Sequence, residues 1–351
     1  MTSIGVKSVQ FKRAFVAFGV TVAAIGSAGC GSGSGDQSSS TTSPVADPNR
    51  TFDLQAHRGG RGMTIEESLP GFAKAVELGV STLELDIVLT ADKVPLIWHD
   101  PAIQAEKCTD TAPAFPDDQQ YPYVGKLVHD LTYDQVHTLD CGKKLAGFPE
   151  AQELPGNRIA KLPELFDLVK TYPGAFAALR YNVETKVEAE HPEQSAAPEE
   201  FVGVILDAVA AAGATDKVEI QSFDWRSLPL VKAKNPAIPT VALYDDSTFK
   251  PNSAWLGPIR YEDHADDALG AIKALGADIS SPDYKMPSIT AEYARKAHDL
   301  GIKIVPWTVN DKDAIGKVLD EGMDGIITDY PNRAREVMGD KGYPLPKSFH
   351  K

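Results

Sequence analysis

Five short runs carry the side chains best suited to chemistry: His57-Arg58-Gly59, Glu84-Leu85-Asp86, His99-Asp100, Glu184-Thr185-Lys186 and Trp307-Thr308-Val309-Asn310. In an extended strand residues i and i+2 point to the same face. Glu84 and Asp86 therefore face one way while Leu85 packs the other, and Glu184 shares a face with Lys186. Three carboxylates converging on one place repel each other unless a cation sits among them. Donors that are all oxygen suit a hard divalent ion, Ca2+ or Mg2+. Each run taken alone has an ordinary reading, as a solvated rim or a turn. Two histidines and three carboxylates at strand ends, with Arg58 and Lys186 beside them, instead mark a catalytic site.

Such residues need a scaffold that gathers strand ends. From Phe52 onward short β-type apolar runs alternate with helical segments rich in Ala, Leu and Val, a pattern that predicts a parallel sheet with crossover helices. Strands are predicted over 54–57, 82–86, 178–186, 218–223, 240–244, 277–281, 303–308 and 325–329, and helices over 66–78, 162–172, 199–212, 265–275, 288–300 and 311–321. Eight such units make a closed (β/α)8 TIM barrel, which collects its reactive groups at the C-terminal ends of the strands. The run Val94-Pro95-Leu96-Ile97-Trp98 follows the second strand too closely for a parallel crossover. It must return as a hairpin, which carries His99 back toward Glu84 and Asp86.

Residues 101–159 lapse into a Pro-, Asp- and Gly-rich stretch, expected to be a subdomain inserted beside the barrel mouth. It holds Cys108 and Cys141, which an oxidising compartment would join as a disulfide; two buried thiols are the alternative. Export is expected from the basic start (Lys7, Lys12, Arg13), the apolar run 14–25 and the small residues that end at Cys30. The apolar run is too short to span a bilayer comfortably.

The small-residue run ending in Cys30 is similar to a bacterial lipoprotein signal, in which the cysteine is acylated, although Ser27 stands where such signals usually carry Leu. On this reading 1–30 is a signal peptide and 31–50 a flexible tether of Gly, Ser, Thr and Pro. The protein then sits at the periplasmic or cell-envelope face, anchored through Cys30. The barrel domain is expected over 51–340, with 341–351 as a polar tail of no evident role. The formal net charge of −14 argues against a general nucleic-acid surface, because such surfaces neutralise phosphates with clustered Lys and Arg.

The runs Ala56-His57-Arg58-Gly59, Glu66-Glu67-Ser68, Glu84-Leu85-Asp86, Thr90-Ala91-Asp92 and His99-Asp100 come in that order, followed by Glu184 and Lys186, Gln221-Ser222-Phe223-Asp224, Trp307-Thr308-Val309-Asn310 and Asp324-Gly325-Ile326-Ile327-Thr328-Asp329. This ordered set, over roughly residues 52–338, resembles the glycerophosphodiester phosphodiesterase family. The insertion after His99-Asp100 is similar to that of the family's periplasmic bacterial branch. The resemblance implies hydrolysis of glycerophosphodiesters to sn-glycerol 3-phosphate and an alcohol. It implies His57 and His99 as an acid/base pair, Glu84, Asp86 and Glu184 as ligands of one divalent metal ion, and Arg58, Lys186 and Trp307 in contact with the substrate. One departure stands out: where the family usually has Pro-Glu-Asn-Thr, this chain has Ile65-Glu66-Glu67-Ser68, so Glu67 replaces the Asn.

The chemistry explains the parts. A phosphodiester carries about one negative charge and gains about another in the transition state, so the site must supply positive charge. Three carboxylates, a divalent ion, Arg58 and Lys186 leave about one positive charge for it. The leaving alkoxide needs a proton donor and the attacking hydroxyl a base, which two histidines provide in either order. Water attacks phosphorus directly, or the glycerol 2-hydroxyl attacks first and leaves a cyclic phosphate. Two other readings stand beside this one. A phospholipase-D-like enzyme acting on lysophospholipids or sphingomyelin would need a greasy mouth, for which Phe115, Tyr121, Tyr123 and Phe148 are available. A lipoprotein that binds glycerophosphodiesters without turnover would be favoured by loss of a histidine, and both are present.

Overall fold

The strands in chain order are β1 (Asp53–Ala56), β2 (Thr82–Leu89), β3 (Pro95–Ile97), β4 (Arg180–Thr185), β5 (Val218–Ser222), β6 (Thr240–Tyr244), β7 (Ile279–Pro282), β8 (Lys303–Ile304) and β9 (Gly325–Thr328). They come from a computed structural model that describes residues 51–351; the predicted signal peptide, Cys30 and the tether to residue 50 lie outside the described residues. All but β3 are parallel and hydrogen-bonded in the order β8-β7-β6-β5-β4-β2-β1-β9. Bonds from Asp324 N to Ile304 O (2.9 Å), Ile327 N to Pro306 O (3.0 Å) and Val309 N to Ile327 O (3.0 Å) join the last two strands. The result is the (β/α)8 barrel expected from the sequence. The predicted strand at 303–308 shortens to two ladder residues, since Pro306 has no N–H to donate.

Strand β3 runs antiparallel to β2 with Ile97 opposite Ile87, and Trp98 N donates to Asp86 O at 3.1 Å. This is the hairpin return that brings His99 to the level of Asp86. Parallel register sets Asp86 beside Glu184, Glu184 beside Gln221 and Ala56 beside Thr328. Residues far apart in the chain thus end at one level.

The helices are α1 (Leu69–Leu78), α2 (Tyr133–His137), α3 (Leu162–Lys170), α4 (Ala175–Ala178), α5 (Pro198–Ala212), α6 (Ser227–Lys234), α7 (Ala268–Leu275), α8 (Ala291–Asp299), α9 (Lys312–Asp320) and α10 (Pro331–Asp340). Helix α1 starts three residues later than predicted. Glu67 takes a left-handed φ of 55°, and the Ser68 hydroxyl then caps the helix by accepting from Gly71 N at 3.1 Å. Glu66 and Glu67 are drawn into the barrel mouth instead. Among the described residues no helix is long and apolar enough to cross a membrane.

The insertion has its own core, in which Ile103, Tyr123, Val128, Leu131, Val136 and Leu139 pack beneath Leu96 and Trp98. Cys108 and Cys141 are joined within it as a disulfide. The polar tail does have a role. Tyr343 and Phe349 are buried in the main core, Phe349 N donates to Val76 O at 3.2 Å, and the Ser348 hydroxyl donates to Leu78 O at 2.9 Å. Burying a phenylalanine contributes roughly 2–3 kcal/mol, so the tail fastens α1. At the N-terminal ends of the strands, a cavity of about 1030 Å³ lined by Asp53, Arg180, Glu219 and Lys303 forms the lower mouth.

Candidate active site

The chain leaves β1 through His57-Arg58-Gly59, a tight turn in which Arg58 has a φ of 50° and Gly59 one of 78°. A side chain at Gly59 would press on the start of α1, with its Cβ 3.1 Å from Phe72 N. The turn points His57 and Arg58 into the upper mouth, where they line a cavity of about 270 Å³ with Glu84, His99, Glu184 and Lys186. The residues predicted to form the site are brought together, Trp307 among them.

Each histidine is backed by a carboxylate. His57 Nδ1 lies 2.5 Å from Asp329 Oδ1, and Asp329 is itself held by Arg61 Nε at 2.8 Å and Asn310 Nδ2 at 2.7 Å. His99 Nδ1 lies 3.0 Å from Asp100 Oδ1, while Lys107 Nζ donates to Asp100 and, at 2.6 Å, to Glu66. With each Nδ1 so engaged, Nε2 is the nitrogen left to work. Burial lowers the His57 imidazole below its ordinary value against the pull of Asp329. Burial, Lys186 and Arg58 push His99 down to about 4.

Glu84, Asp86 and Glu184 each offer an oxygen, and these oxygens lie within 4.8 Å of one another. Glu84 is clamped at both ends, accepting from Arg58 N at 2.8 Å and Gln221 Nε2 at 2.6 Å. Arg58 Nε stands 3.0 Å from Asp86, and Lys186 Nζ donates to Glu184 at 2.8 Å. Burial pushes Glu84 well above the carboxylate range, with Asp86 adding to it. Burial likewise pushes Glu184 up to about 8 in spite of Lys186. Asp86 is desolvated too, but Arg58 and Lys186 overcome this and hold it well below its usual value.

A fourth carboxylate joins them. Glu67 Oε1 accepts from Asp86 N at 3.1 Å, while burial and Asp86 push the group well up. Its Oε2 is buried without a hydrogen-bond partner among the described residues, whereas Asp86 Oδ2 faces Arg58 Nε at 3.0 Å. Were all four ionised, as a cation among them would favour, they would exceed Arg58 and Lys186 by two negative charges, the charge of one divalent ion. All donors are oxygen, as such an ion prefers, so these residues fit a metal.

Several functional contacts were not assigned from the sequence. Asp329, Asp100 and Gln221 stood at strand ends, but their partners emerge only from the folded register. Arg61, which links Asp329 to Glu66, had no signal beyond its nearness to His57. Across the cavity Phe223 meets Trp307 edge to face at 5.3 Å. Of the four aromatics available in the insertion, Tyr123 is buried in its core, Tyr121 packs on Tyr123 at 5.4 Å, Phe148 lies 4.5 Å under Arg61, and Phe115 is 53% exposed. None of them lines the 270 Å³ cavity.

Residues 57–333 match the profile of the Glycerophosphoryl diester phosphodiesterase family. A crystal structure of a putative glycerophosphoryl diester phosphodiesterase from Silicibacter pomeroyi DSS-3 superposes with a TM-score of 0.71 at 29% identity, over 85% of this chain and 97% of that one. A glycerophosphodiester phosphodiesterase of Bacillus subtilis (strain 168) is 28% identical over 304 residues, 84% of this chain and 88% of the relative. A phosphodiesterase of Oleispira antarctica, solved in complex with the product sn-glycerol-3-phosphate, shares the fold with a TM-score of 0.61 at 18% identity, over 82% of this chain and 96% of that one.

Proposed function

The chain belongs to the glycerophosphoryl diester phosphodiesterase family, and from that premise we propose that it hydrolyses glycerophosphodiesters to sn-glycerol 3-phosphate and an alcohol, using His57 and His99 as the acid/base pair. The observation that carries this reading is the convergence of Glu84, Asp86 and Glu184 in one cavity with two carboxylate-backed histidines. The product bound to the Oleispira antarctica relative agrees with it.

Glu84, Asp86 and Glu184 would hold one divalent ion, Mg2+ or Ca2+, which would supply Lewis-acid stabilisation of the negative charge that develops on the phosphoryl group. Arg58 and Lys186 draw the phosphate in. The arriving anion offsets their charge and so favours protonation of the imidazoles, allowing one histidine to carry the proton that the leaving alkoxide needs. The other takes the proton of the attacking hydroxyl. Asp329 and Asp100 keep each ring turned with Nε2 toward the substrate, and the Phe223–Trp307 wall packs against its carbon skeleton.

Export and anchoring through Cys30 belong to the same proposal. The basic start, the apolar run and the cysteine support it, as does a disulfide of the kind that forms in oxidising compartments. The mature protein should begin at an acylated Cys30, and an unmodified terminus elsewhere contradicts the anchor. Hydrolysis is tested by incubating purified protein with glycerophosphocholine. Release of sn-glycerol 3-phosphate that a chelator stops and added Mg2+ or Ca2+ restores is expected. Binding without release points instead to a non-catalytic carrier.

A further inference from the structure

The axis of this barrel is not filled in the usual way. Layers of Val, Ile and Leu pack the interior of most such barrels, but here Gln55 on β1, Asn182 on β4 and Gln221 on β5 are buried to 1% exposure or less. They form one hydrogen-bonded chain from mouth to mouth. At the lower end Gln55 Nε2 donates to Asp53 Oδ2 at 2.8 Å and to Glu219 Oε1 at 2.9 Å. In the middle Asn182 Nδ2 donates to Gln55 Oε1 at 2.8 Å and to Gln221 Oε1 at 3.0 Å. At the upper end Gln221 Nε2 donates to Glu84 Oε1 at 2.6 Å.

A carboxamide has donors at one end and an acceptor at the other, in nearly the same shape, so its neighbours decide which end points where. Two carboxylates claim both hydrogens of Gln55 Nε2, and its oxygen is therefore turned toward Asn182. Asn182 must answer with nitrogen, and the same nitrogen meets the oxygen of Gln221. That leaves the nitrogen of Gln221 for Glu84. Turning any one amide over sets oxygen against oxygen or nitrogen against nitrogen, at about 1–3 kcal/mol for each buried group left unsatisfied. Within the chain only Asn182 Oδ1 is without a partner among the described residues.

We propose that Gln55, Asn182 and Gln221 are positioning residues that orient Glu84 for metal binding, with their direction set by Asp53 and Glu219 at the opposite mouth. Gln221 holds one Glu84 oxygen and Arg58 N the other, so the carboxylate cannot turn away from Asp86 and Glu184. The inference rests on Glu84 being a metal ligand, as proposed above. Groups that hold a ligand in this way typically change metal affinity about 10–100-fold when removed.

The test is a double-mutant cycle read by calorimetric titration of Mg2+ and Ca2+ into the parent protein, Gln221→Met, Asn182→Leu and the double variant. Asn182 lines neither the upper nor the lower cavity, yet its loss should weaken metal binding by about tenfold or more. The double variant should be no weaker than Gln221→Met alone, because the same chain is broken twice. Metal-induced carboxylate bands in the infrared should also shift in Asn182→Leu. If that variant does not fold, Gln55→Met takes its place in the cycle. Unchanged affinity and bands in the folded variant, or losses that add, overturn the positioning chain and leave the functional reading standing. A parent protein that binds neither ion overturns both.

Discussion

At the lower mouth Asp53 accepts from Thr82 and Gln55, and Glu219 accepts from Gln55 with Arg180 3.5 Å away. At the upper mouth three carboxylates converge within 4.8 Å, and one oxygen of Glu67 has no hydrogen-bond partner among the described residues. Burial raises acids at both ends, Glu219 to about 7 below and Glu184 to about 8 above. A raised carboxylate therefore does not by itself identify a site in this molecule. The lower acids are paired off by amide, hydroxyl and guanidinium donors and touch the upper mouth only through the Gln55–Asn182–Gln221 chain. The upper acids are crowded within 4.8 Å of one another and flanked by two backed histidines, which is what a cation and a reaction require.

The largest effect belongs to the histidines: His57→Ala or His99→Ala should lower turnover by roughly two to four orders of magnitude in steady-state assays. Retention of full rate by either removes it from the chemistry. Next comes the disulfide, which supports the insertion over the upper mouth and closes a separation of 33 residues. Replacing Cys108 and Cys141 by Ala should cost about 3–4 kcal/mol on the chain-entropy account, read from denaturant unfolding. No loss would mean that the insertion core suffices alone.

Metal should stabilise the fold in a pH-dependent way. Glu184 rises from 4.5 to about 8 in the folded, metal-free protein. Below pH 4.5 it is protonated folded or unfolded, and above pH 8 it is ionised in both. Between these limits the folded state retains the proton, so metal-free stability falls as pH rises. A cation favours the ionised form, so its stabilisation should be small near pH 5 and approach about 2.7 kcal/mol above pH 8 at a hundredfold excess over Kd. Thermal melts showing a pH-independent gain contradict the site. The smallest effect is expected below: Arg180→Gln should change stability by less than about 1 kcal/mol and leave turnover unchanged. A collapse of activity there would erase the difference between the mouths.

Much of the upper mouth was legible because alternation along a strand and the hairpin at 94–98 are local rules. They sufficed to put Glu84, Asp86, Glu184 and His99 on common ground. The backing of His57 by Asp329 was not legible, since it joins residues 272 apart through pairing of the first strand with the last. Nor was the role of Glu67, whose left-handed backbone takes it out of the helix that the apolar spacing predicted. The tail reads as polar filler because Tyr343 and Phe349 are isolated in sequence, and only the fold sets Tyr343 against Phe52 and Leu319 and ties Phe349 to α1.

Carboxylates that hold the metal are told apart from histidines that move protons by titrating Mg2+ or Ca2+ calorimetrically into the parent protein, Glu184→Gln, His57→Ala and His99→Ala. The parent should take up one ion. Glu184→Gln should bind it about 10–100-fold more weakly, and both histidine variants should bind it as the parent does. A histidine variant that loses the ion as completely as Glu184→Gln would contradict the division of labour proposed here and make that histidine a ligand.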